Sequence, residues 1–269
     1  MLACGCGRVN YDAAARDGGS ALLDAPPAVD AMPFDADGNF DAGARDAAPS
    51  LDAFVPIDAG SARARICADA IACLDFETPF APSLTVLRLG GSDAPTRDTL
   101  RPFRGSALHL RASSATSTAS GLVQPVPGAV FAAGTVYVSA WVRVEREEIP
   151  AYVVLIEISN SGSSDPFAKV SLDHNVGDQL SLYTPTDYMR RPGDFPTATW
   201  VCIEMTIRPD PVGTFARASV DGRALMATDP LDPGLLRSVY ITTVSQSGTH
   251  DVWFDDVYIG TREVGCLPE

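Results

Sequence analysis

The sequence predicts an all-β domain over residues 66–269, a two-sheet antiparallel jelly-roll sandwich, behind a disordered tether over residues 1–65. After Ile66 the apolar residues fall in short segments that alternate with polar ones, as in strands with one buried face. Gly and Pro separate these segments at roughly strand-length intervals. No amphipathic run of about 12 residues indicates a helix. About a dozen antiparallel strands in one domain favour two packed sheets.

The first residues resemble the end of a bacterial lipoprotein signal, in which small residues precede the cysteine that becomes lipidated. Here Leu2 and Ala3 precede Cys4, and Gly5 follows it. The resemblance implies that Cys4 carries a lipid and that the hydrophobic part of the signal lies upstream of Met1. We therefore expect an exported protein, anchored to the outer membrane or cell surface and in contact with the membrane only through this lipid.

An Asp-Ala dipeptide recurs behind this cysteine at positions 24, 30, 35, 41, 46, 52 and 58, with Pro or Gly scattered between the repeats. Pro breaks helices, and low hydrophobicity with like charge leaves little to offset the entropy of ordering. We therefore expect residues 1–65 to form a disordered linker. Its composition resembles the spacers behind the lipidated cysteine in myxobacterial-type surface lipoproteins.

The net charge of −14 restricts the class of partner. Nucleic-acid binding needs a surface of Lys and Arg side chains that releases counterions from the phosphates, so no nucleic-acid partner is expected. Direct adhesion to anionic lipid head groups is disfavoured for the same reason. We expect a monomer whose partner is a glycan or a surface protein.

Period-two alternation places apolar side chains on one face of at least four predicted strands. Between two further strands, Asp221-Gly222 is a dipeptide that favours a tight hairpin turn, because such turns require positive φ. The inward faces are expected to hold Leu108 and Leu110; Val136, Val138, Ala140, Val142 and Val144; Leu180 and Leu182; and Val201, Ile203, Met205 and Ile207.

Short motifs open and close the domain. Residues 73–77 read Cys-Leu-Asp-Phe-Glu, residues 253–257 read Trp-Phe-Asp-Asp-Val, and Gly265-Cys266 follows. Between these motifs lie the strand of Trp141 and the strand that begins at Trp200. The order of these four features along the chain resembles that in the concanavalin A-like, laminin-G-like jelly rolls of bacterial surface lipoproteins. The opening and closing motifs are also similar to those of several carbohydrate-binding modules. The resemblance implies a non-catalytic module that binds carbohydrate or another surface ligand.

Four cysteines lie in the predicted domain. An even number in an exported domain favours disulfides over a metal site, since the envelope is oxidising and the chain has no Cys-x-x-Cys spacing. One arrangement joins Cys67 to Cys73 and Cys202 to Cys266. The other joins Cys73 to Cys266, because the first and last strands are usually neighbours in such sandwiches. Both arrangements are compatible with the sequence.

Carboxylates of the opening and closing motifs form a candidate calcium site. Asp75 and Glu77 share one face of the predicted first strand, and Asp255 and Asp256 lie in the last. If the two strands pair, as the resemblance implies, buried carboxylates converge, and a hard cation is their natural partner. In the resembling modules the Glu of the opening motif and an Asp of the closing motif often bind calcium, which points here to Glu77, Asp255 and Asp256. The alternative is that these side chains cap backbone amides or face water.

A Pro-rich loop between two predicted strands is the candidate ligand contact. Tyr183, Tyr188, Arg190 and Arg191 surround it together with Asp194. Loops on a rigid scaffold commonly carry ligand contacts, and aromatic rings among hydrogen-bonding side chains suit a sugar.

Two tryptophans, Trp141 and Trp200, are further candidates for stacking on a sugar, with packing against a second layer as the alternative. No catalytic residue is assigned. The paired carboxylates of glycosidases and the nucleophile elbow of serine hydrolases have no match. A polysaccharide lyase on the same fold, acting through His174 and Tyr183, or a glycosidase, is one alternative function. A structural or adhesive protein-interaction module is another.

Overall fold

The structure is a computed structural model, and it describes residues 59–80, 84–89, 93–112, 118–146, 152–159, 166–173, 179–190, 195–220, 223–245 and 248–267. These ranges form two antiparallel β-sheets packed face to face, so the predicted all-β sandwich is confirmed. None of the helices within them is long and apolar enough to cross a bilayer.

Fifteen strands and two short helices follow one another along the described chain, with one turn of 3-10 helix at Pro233–Leu235. The helices are α1 (Ala59–Ala68) and α2 (Gly128–Ala133). The strands are β1 (Ala72–Leu74), β2 (Thr85–Leu89), β3 (Thr96–Asp98), β4 (Ala107–Ala112), β5 (Thr118–Pro125), β6 (Val136–Arg146), β7 (Tyr152–Ser159), β8 (Pro166–Asp173), β9 (Gln179–Tyr183), β10 (Tyr188–Arg190), β11 (Val201–Asp210), β12 (Gly213–Val220), β13 (Arg223–Asp229), β14 (Ser238–Ser245) and β15 (His250–Gly260).

Each sheet places one of the last two strands near its centre. The eight-stranded sheet has the order β13-β12-β11-β6-β15-β4-β3, and β1 also pairs with β15. The seven-stranded sheet has the order β10-β9-β8-β7-β14-β5-β2. Strand β15 therefore contacts three other strands, and every one of its residues is buried.

The core lies between the two sheets and is filled by the side chains that the alternation predicted. Strand β11 shows the pattern clearly, because Val201, Ile203, Met205 and Ile207 are buried while the residues between them are half-buried. The predicted hairpin is also confirmed. Strand β12 ends at Val220, β13 begins at Arg223, and the two strands pair antiparallel with these residues opposite each other.

The first and last strands are paired, with Cys73 opposite Tyr258. The structure nevertheless joins Cys67 to Cys73 and Cys202 to Cys266, at Cα–Cα distances of 5.6 and 5.8 Å. The alternative bond between Cys73 and Cys266 is not the one present. The second bond ties the C-terminal segment across the middle of the eight-stranded sheet.

Helix α1 includes residues 59–65, which are the last residues of the expected tether. The segment alternates Ala with Arg, two strong helix formers, and contains no Pro. Two links fasten the helix to the sandwich: the disulfide of Cys67 and an ion pair of Arg63 with Asp256. Residues 1–58 lie outside the described ranges, and so does the predicted lipid site Cys4.

Candidate ligand-binding face and carboxylate cluster

The outer face of the seven-stranded sheet carries a row of polar and aromatic side chains. Strand pairing places Tyr240, Glu157, Lys169, Tyr183 and Tyr188 side by side on β14, β7, β8, β9 and β10. Their neighbours along these strands are buried in the core, so this row points away from it. The row thus crosses five strands on one face.

Two tyrosines form the centre of the candidate site. The rings of Tyr183 and Tyr188 lie 6.2 Å apart between centroids, inclined at 57°. The Lys169 Nζ lies 4.6 Å from the Tyr183 ring centroid, and the Arg190 Cζ lies 4.7 Å from that of Tyr188. Each ring therefore has a cation beside it, within the range of cation–π attraction. This arrangement offers flat apolar surface, phenolic hydroxyls and charged donors together.

Glu157 lies next to Lys169 in the row and was not anticipated from the sequence. Burial raises the pKa of the Glu157 carboxyl, and the charge of Lys169 opposes that rise. Burying a carboxylate costs free energy, and a hydrogen-bond donor beside it offsets part of that cost. The available signal was a single charged residue inside the apolar run of β7.

The structure brings together three of the predicted ligand residues, Tyr183, Tyr188 and Arg190. Arg191 lies outside the described ranges, as do Asp194 and His174, so the predictions for them stand as predictions.

The predicted tryptophans lie in the eight-stranded sheet, with Trp141 on β6 and Trp200 immediately before β11. Trp141 stacks on Phe103 with ring centroids 4.2 Å apart, and its Nε1 donates to the Leu267 carbonyl at 3.1 Å. Phe103 also meets the edge of Trp200, at 5.8 Å between centroids. Both tryptophans therefore pack against Phe103, which lies between β3 and β4 and not in the second sheet.

The opening and closing motifs meet around the backbone of residues 104–106. The Glu77 Oε1 accepts from the Ser106 amide at 2.9 Å, and the Asp255 Oδ2 accepts from the Arg104 amide at 2.8 Å. Burial raises the pKa of the Asp255 carboxyl to about 7 against the effect of the Arg104 amide, and the neighbouring charge of Asp256 acts in the same direction as burial. The Asp255 Oδ1 in addition accepts from the Asp256 amide at 2.8 Å. Amide capping, the alternative to calcium, therefore accounts for one oxygen of Glu77 and for both oxygens of Asp255.

Asp256 sits at the bulge in β15, with φ of 48°, and its carboxylate is fully buried. The Arg63 Nη1 lies 2.5 Å from its Oδ1, and the Arg104 Nη1 lies 3.5 Å from its Oδ2. Burial raises the pKa of Asp256, whereas the charges of the two arginines lower it. Arg63 also approaches Asp75, at 3.8 Å. The cation that this cluster faces here is thus a guanidinium.

In the part of the chain that the structure describes, no group of three or more His, Cys, Asp or Glu side chains is arranged to hold a metal ion. A calcium ion bound by Glu77, Asp255 and Asp256 would have to share or displace the contact of Arg63 with Asp256.

A second ionic cluster lies on the outer face of the eight-stranded sheet. The Asp251 Oδ1 lies 2.7 Å from the His109 Nε2, and its Oδ2 lies 3.1 Å from the Arg111 Nη1. Burial raises the pKa of Asp251, but the hydrogen bond with His109 and the charge of Arg111 outweigh it, so the net shift is downward. The His109 ring also stacks on Trp253, 4.7 Å away.

No family model and no curated protein matches the chain. Solved structures do match. An alginate lyase of polysaccharide lyase family 7 is 10% identical with a TM-score of 0.42, covering 60% of this chain and 81% of that one. A structure of botulinum neurotoxin type C, whose cell entry depends on two ganglioside molecules, is 13% identical with a TM-score of 0.49, covering 75% of this chain and 50% of that one. An alginate lyase from Corynebacterium sp. is 10% identical with a TM-score of 0.45, covering 68% and 82%. Likeness at this level does not bear on ligand or activity.

Proposed function

We propose that this chain is a lipid-anchored envelope protein whose sandwich binds carbohydrate, without catalysis, on the outer face of the seven-stranded sheet. The observation that carries the proposal is the pairing of Tyr183 with Tyr188, each beside a cation. Aromatic rings cover the apolar face of a sugar, while adjacent charged groups hydrogen-bond its hydroxyls. The face carries charged and phenolic groups, which suit a saccharide better than an apolar ligand.

The contacts around the tyrosines keep the proposed site in one arrangement. Strand pairing holds Lys169, Tyr183 and Tyr188 in register, so the rings are presented by backbone ladders rather than by a free loop. Sites on strands are held more closely than sites on loops. Tyr188 is 37% exposed, which leaves its ring accessible to a ligand.

The test is binding of the full chain to a broad glycan array, followed by titration with the best ligand. Tyr183→Ala and Tyr188→Ala are each expected to weaken binding about tenfold or more, because aromatic residues at the centre of a site dominate binding energy. The control is Leu100→Ala, which truncates a side chain that is 90% exposed outside this face. Wild-type affinity in both tyrosine variants would eliminate this face as the site. Accumulation of unsaturated uronate from any bound glycan would instead support the lyase alternative.

Calcium binding by Glu77, Asp255 and Asp256 is a separate proposal for the carboxylate cluster. Its support is that the buried Asp256 carboxylate already faces cations, with arginine side chains 2.5 Å from its Oδ1 and 3.5 Å from its Oδ2. Because Arg63 competes for the same carboxylate, Arg63→Gln should bind calcium more tightly than the wild-type chain in calorimetry. Absence of calcium binding in both proteins would refute the proposed calcium site.

The lipid anchor rests on Cys4 and the Asp-Ala segment behind it. Expression of the gene with its upstream sequence, in cells fed an alkyne-labelled fatty acid, should label the wild-type protein in the membrane fraction. Cys4→Ala should carry no label, and equal labelling of the two would refute the anchor.

A further inference from the structure

A hollow on the outer face of the eight-stranded sheet lies on the opposite side of the sandwich from the tyrosine pair. It extends over β6, β11, β12 and β13 and has a volume of about 510 Å³. This falls within the usual range of ligand sites, about 300–1,000 Å³. Side chains of several kinds line it, chiefly Tyr137, Arg208, Phe215, Arg217, Met226 and Glu263.

Strand register builds the floor of the hollow from two neighbouring rows. One row runs from Tyr137 through Arg217 to Met226, and the next pairs Arg208 with Phe215. The Arg208 Cζ lies 4.3 Å from the Phe215 ring centroid, so the ring orients this guanidinium. The floor therefore combines aromatic surface with two positive charges held by the sheet.

The two arginines have few acidic partners, although the chain as a whole is strongly acidic. Within the described residues, Arg208 makes no ion pair, and the ion pair of Arg217 is with Glu263 at 3.9 Å. Another acid on this face, Glu204, accepts instead from the Ser219 hydroxyl at 3.0 Å. Arg208 and Arg217 are diagonal neighbours on paired strands, where like charges disfavour each other. An anion between them would remove that repulsion.

We propose that this hollow is a second ligand site and that it binds an acidic sugar residue, one whose ring bears a carboxylate or a sulfate. The anionic group lies against Arg208 and Arg217, whose planar guanidinium groups suit such oxygens. The apolar face of the sugar ring covers Tyr137 and Phe215. A neighbouring depression of about 430 Å³ shares Thr135 with the hollow and gives room for a second sugar unit.

The experiment uses the full chain carrying Tyr183→Ala and Tyr188→Ala, so that the proposed carbohydrate-binding face does not contribute to the measured binding. Trigalacturonate is titrated by calorimetry, with galactotriose as the neutral counterpart and inorganic sulfate as the free anion. We expect trigalacturonate to bind, galactotriose to bind at least tenfold more weakly, and sulfate to compete only at far higher concentration. Equal binding of the two sugars would overturn the role of the arginines. Competition by sulfate at equal concentration would overturn the role of the rings.

Three variants locate the site. Arg208→Gln should weaken binding of trigalacturonate at least fivefold, and so should Phe215→Ala. Glu263→Gln should strengthen binding a few fold, because it removes the carboxylate that pairs with Arg217, and its side chain is 63% exposed. A gain cannot arise from misfolding. Phenylglyoxal labelling should in addition show Arg208 and Arg217 protected by the sugar. Protection confined to other arginines, or unchanged affinity in all three variants, would refute the proposal.

Discussion

Arg63 neutralises a buried carboxylate from within a segment whose composition predicts disorder, so its removal tests whether α1 belongs to the folded domain. In Arg63→Ala, Asp256 loses its 2.5 Å contact and keeps Arg104 at 3.5 Å. Removing one partner of a buried pair costs about 3–5 kcal/mol. Because Arg104 remains, we expect about 3 kcal/mol, the lower end of that range. For a domain of about 200 residues this corresponds to a decrease in Tm of about 6–12 °C.

The assay is urea unfolding in calcium-free buffer, followed by tryptophan fluorescence, with Arg65→Ala as the matched control. Arg65 lies on the same helix and is exposed, so its removal should change stability by less than about 0.5 kcal/mol. A double-mutant cycle with Asp256→Asn isolates the pair, since Asn tolerates the positive φ of this position. The loss of Arg63 should cost little in that background. Equal stability of the Arg63→Ala and Arg65→Ala proteins would refute the reasoning.

Three further outcomes are expected. Replacing both Cys202 and Cys266 by Ser opens a loop with a separation of 64 residues and should cost about 4 kcal/mol in urea unfolding, so an unchanged midpoint would contradict the stabilising role of this bond. Gly105→Ala should lower the unfolding free energy by about 2 kcal/mol, because φ is 48° and a Cβ would lie 1.9 Å from the Glu77 Oε1; an unchanged Tm would show that Glu77 moves aside without cost. The lowered pKa of Asp251 means that its stabilisation is complete above the ordinary carboxyl value of 3.8 and is lost as pH falls below it. Asp251→Asn should therefore flatten the acid side of the stability–pH curve, and identical curves for the two proteins would argue against this ion cluster.

Local pattern was sufficient to predict which strand faces are buried, but not which strands are neighbours. The alternation in Val201–Ile207 follows directly from a face that packs on the core, and Asp221-Gly222 follows from turn geometry. The position of β15 between β6 and β4 depends on contacts between residues that are distant in sequence, and no local pattern predicts such contacts. The same limit applies to the row of Glu157 and Tyr240, because bulges in β7 and β14 shift the register that joins them.

The carboxylate cluster shows a different limit. The sequence predicted that the opening and closing motifs meet, and Glu77 and Asp255 do lie against the same short stretch of backbone. It did not predict Arg63 as a partner, because this residue lies within the expected linker and its ion pair depends on Asp256, which is buried at the bulge of β15. Charged residues that are distant in sequence and come into contact only in the folded protein produce no periodic pattern in the sequence.

The central positions of β14 and β15 have a consequence for how the chain acquires its structure during synthesis. Until these two strands emerge from the ribosome, the strands of the seven-stranded sheet form two separate groups, and those of the eight-stranded sheet form two groups with β1 unpaired. Pairings between distant parts of a chain form slowly, because the intervening loop must close first. The nascent chain is therefore expected to stay without a native core until translation is nearly finished. A nonsense mutation shortly before β14 should then leave no stable subdomain, only a chain exposed to chaperones and proteases.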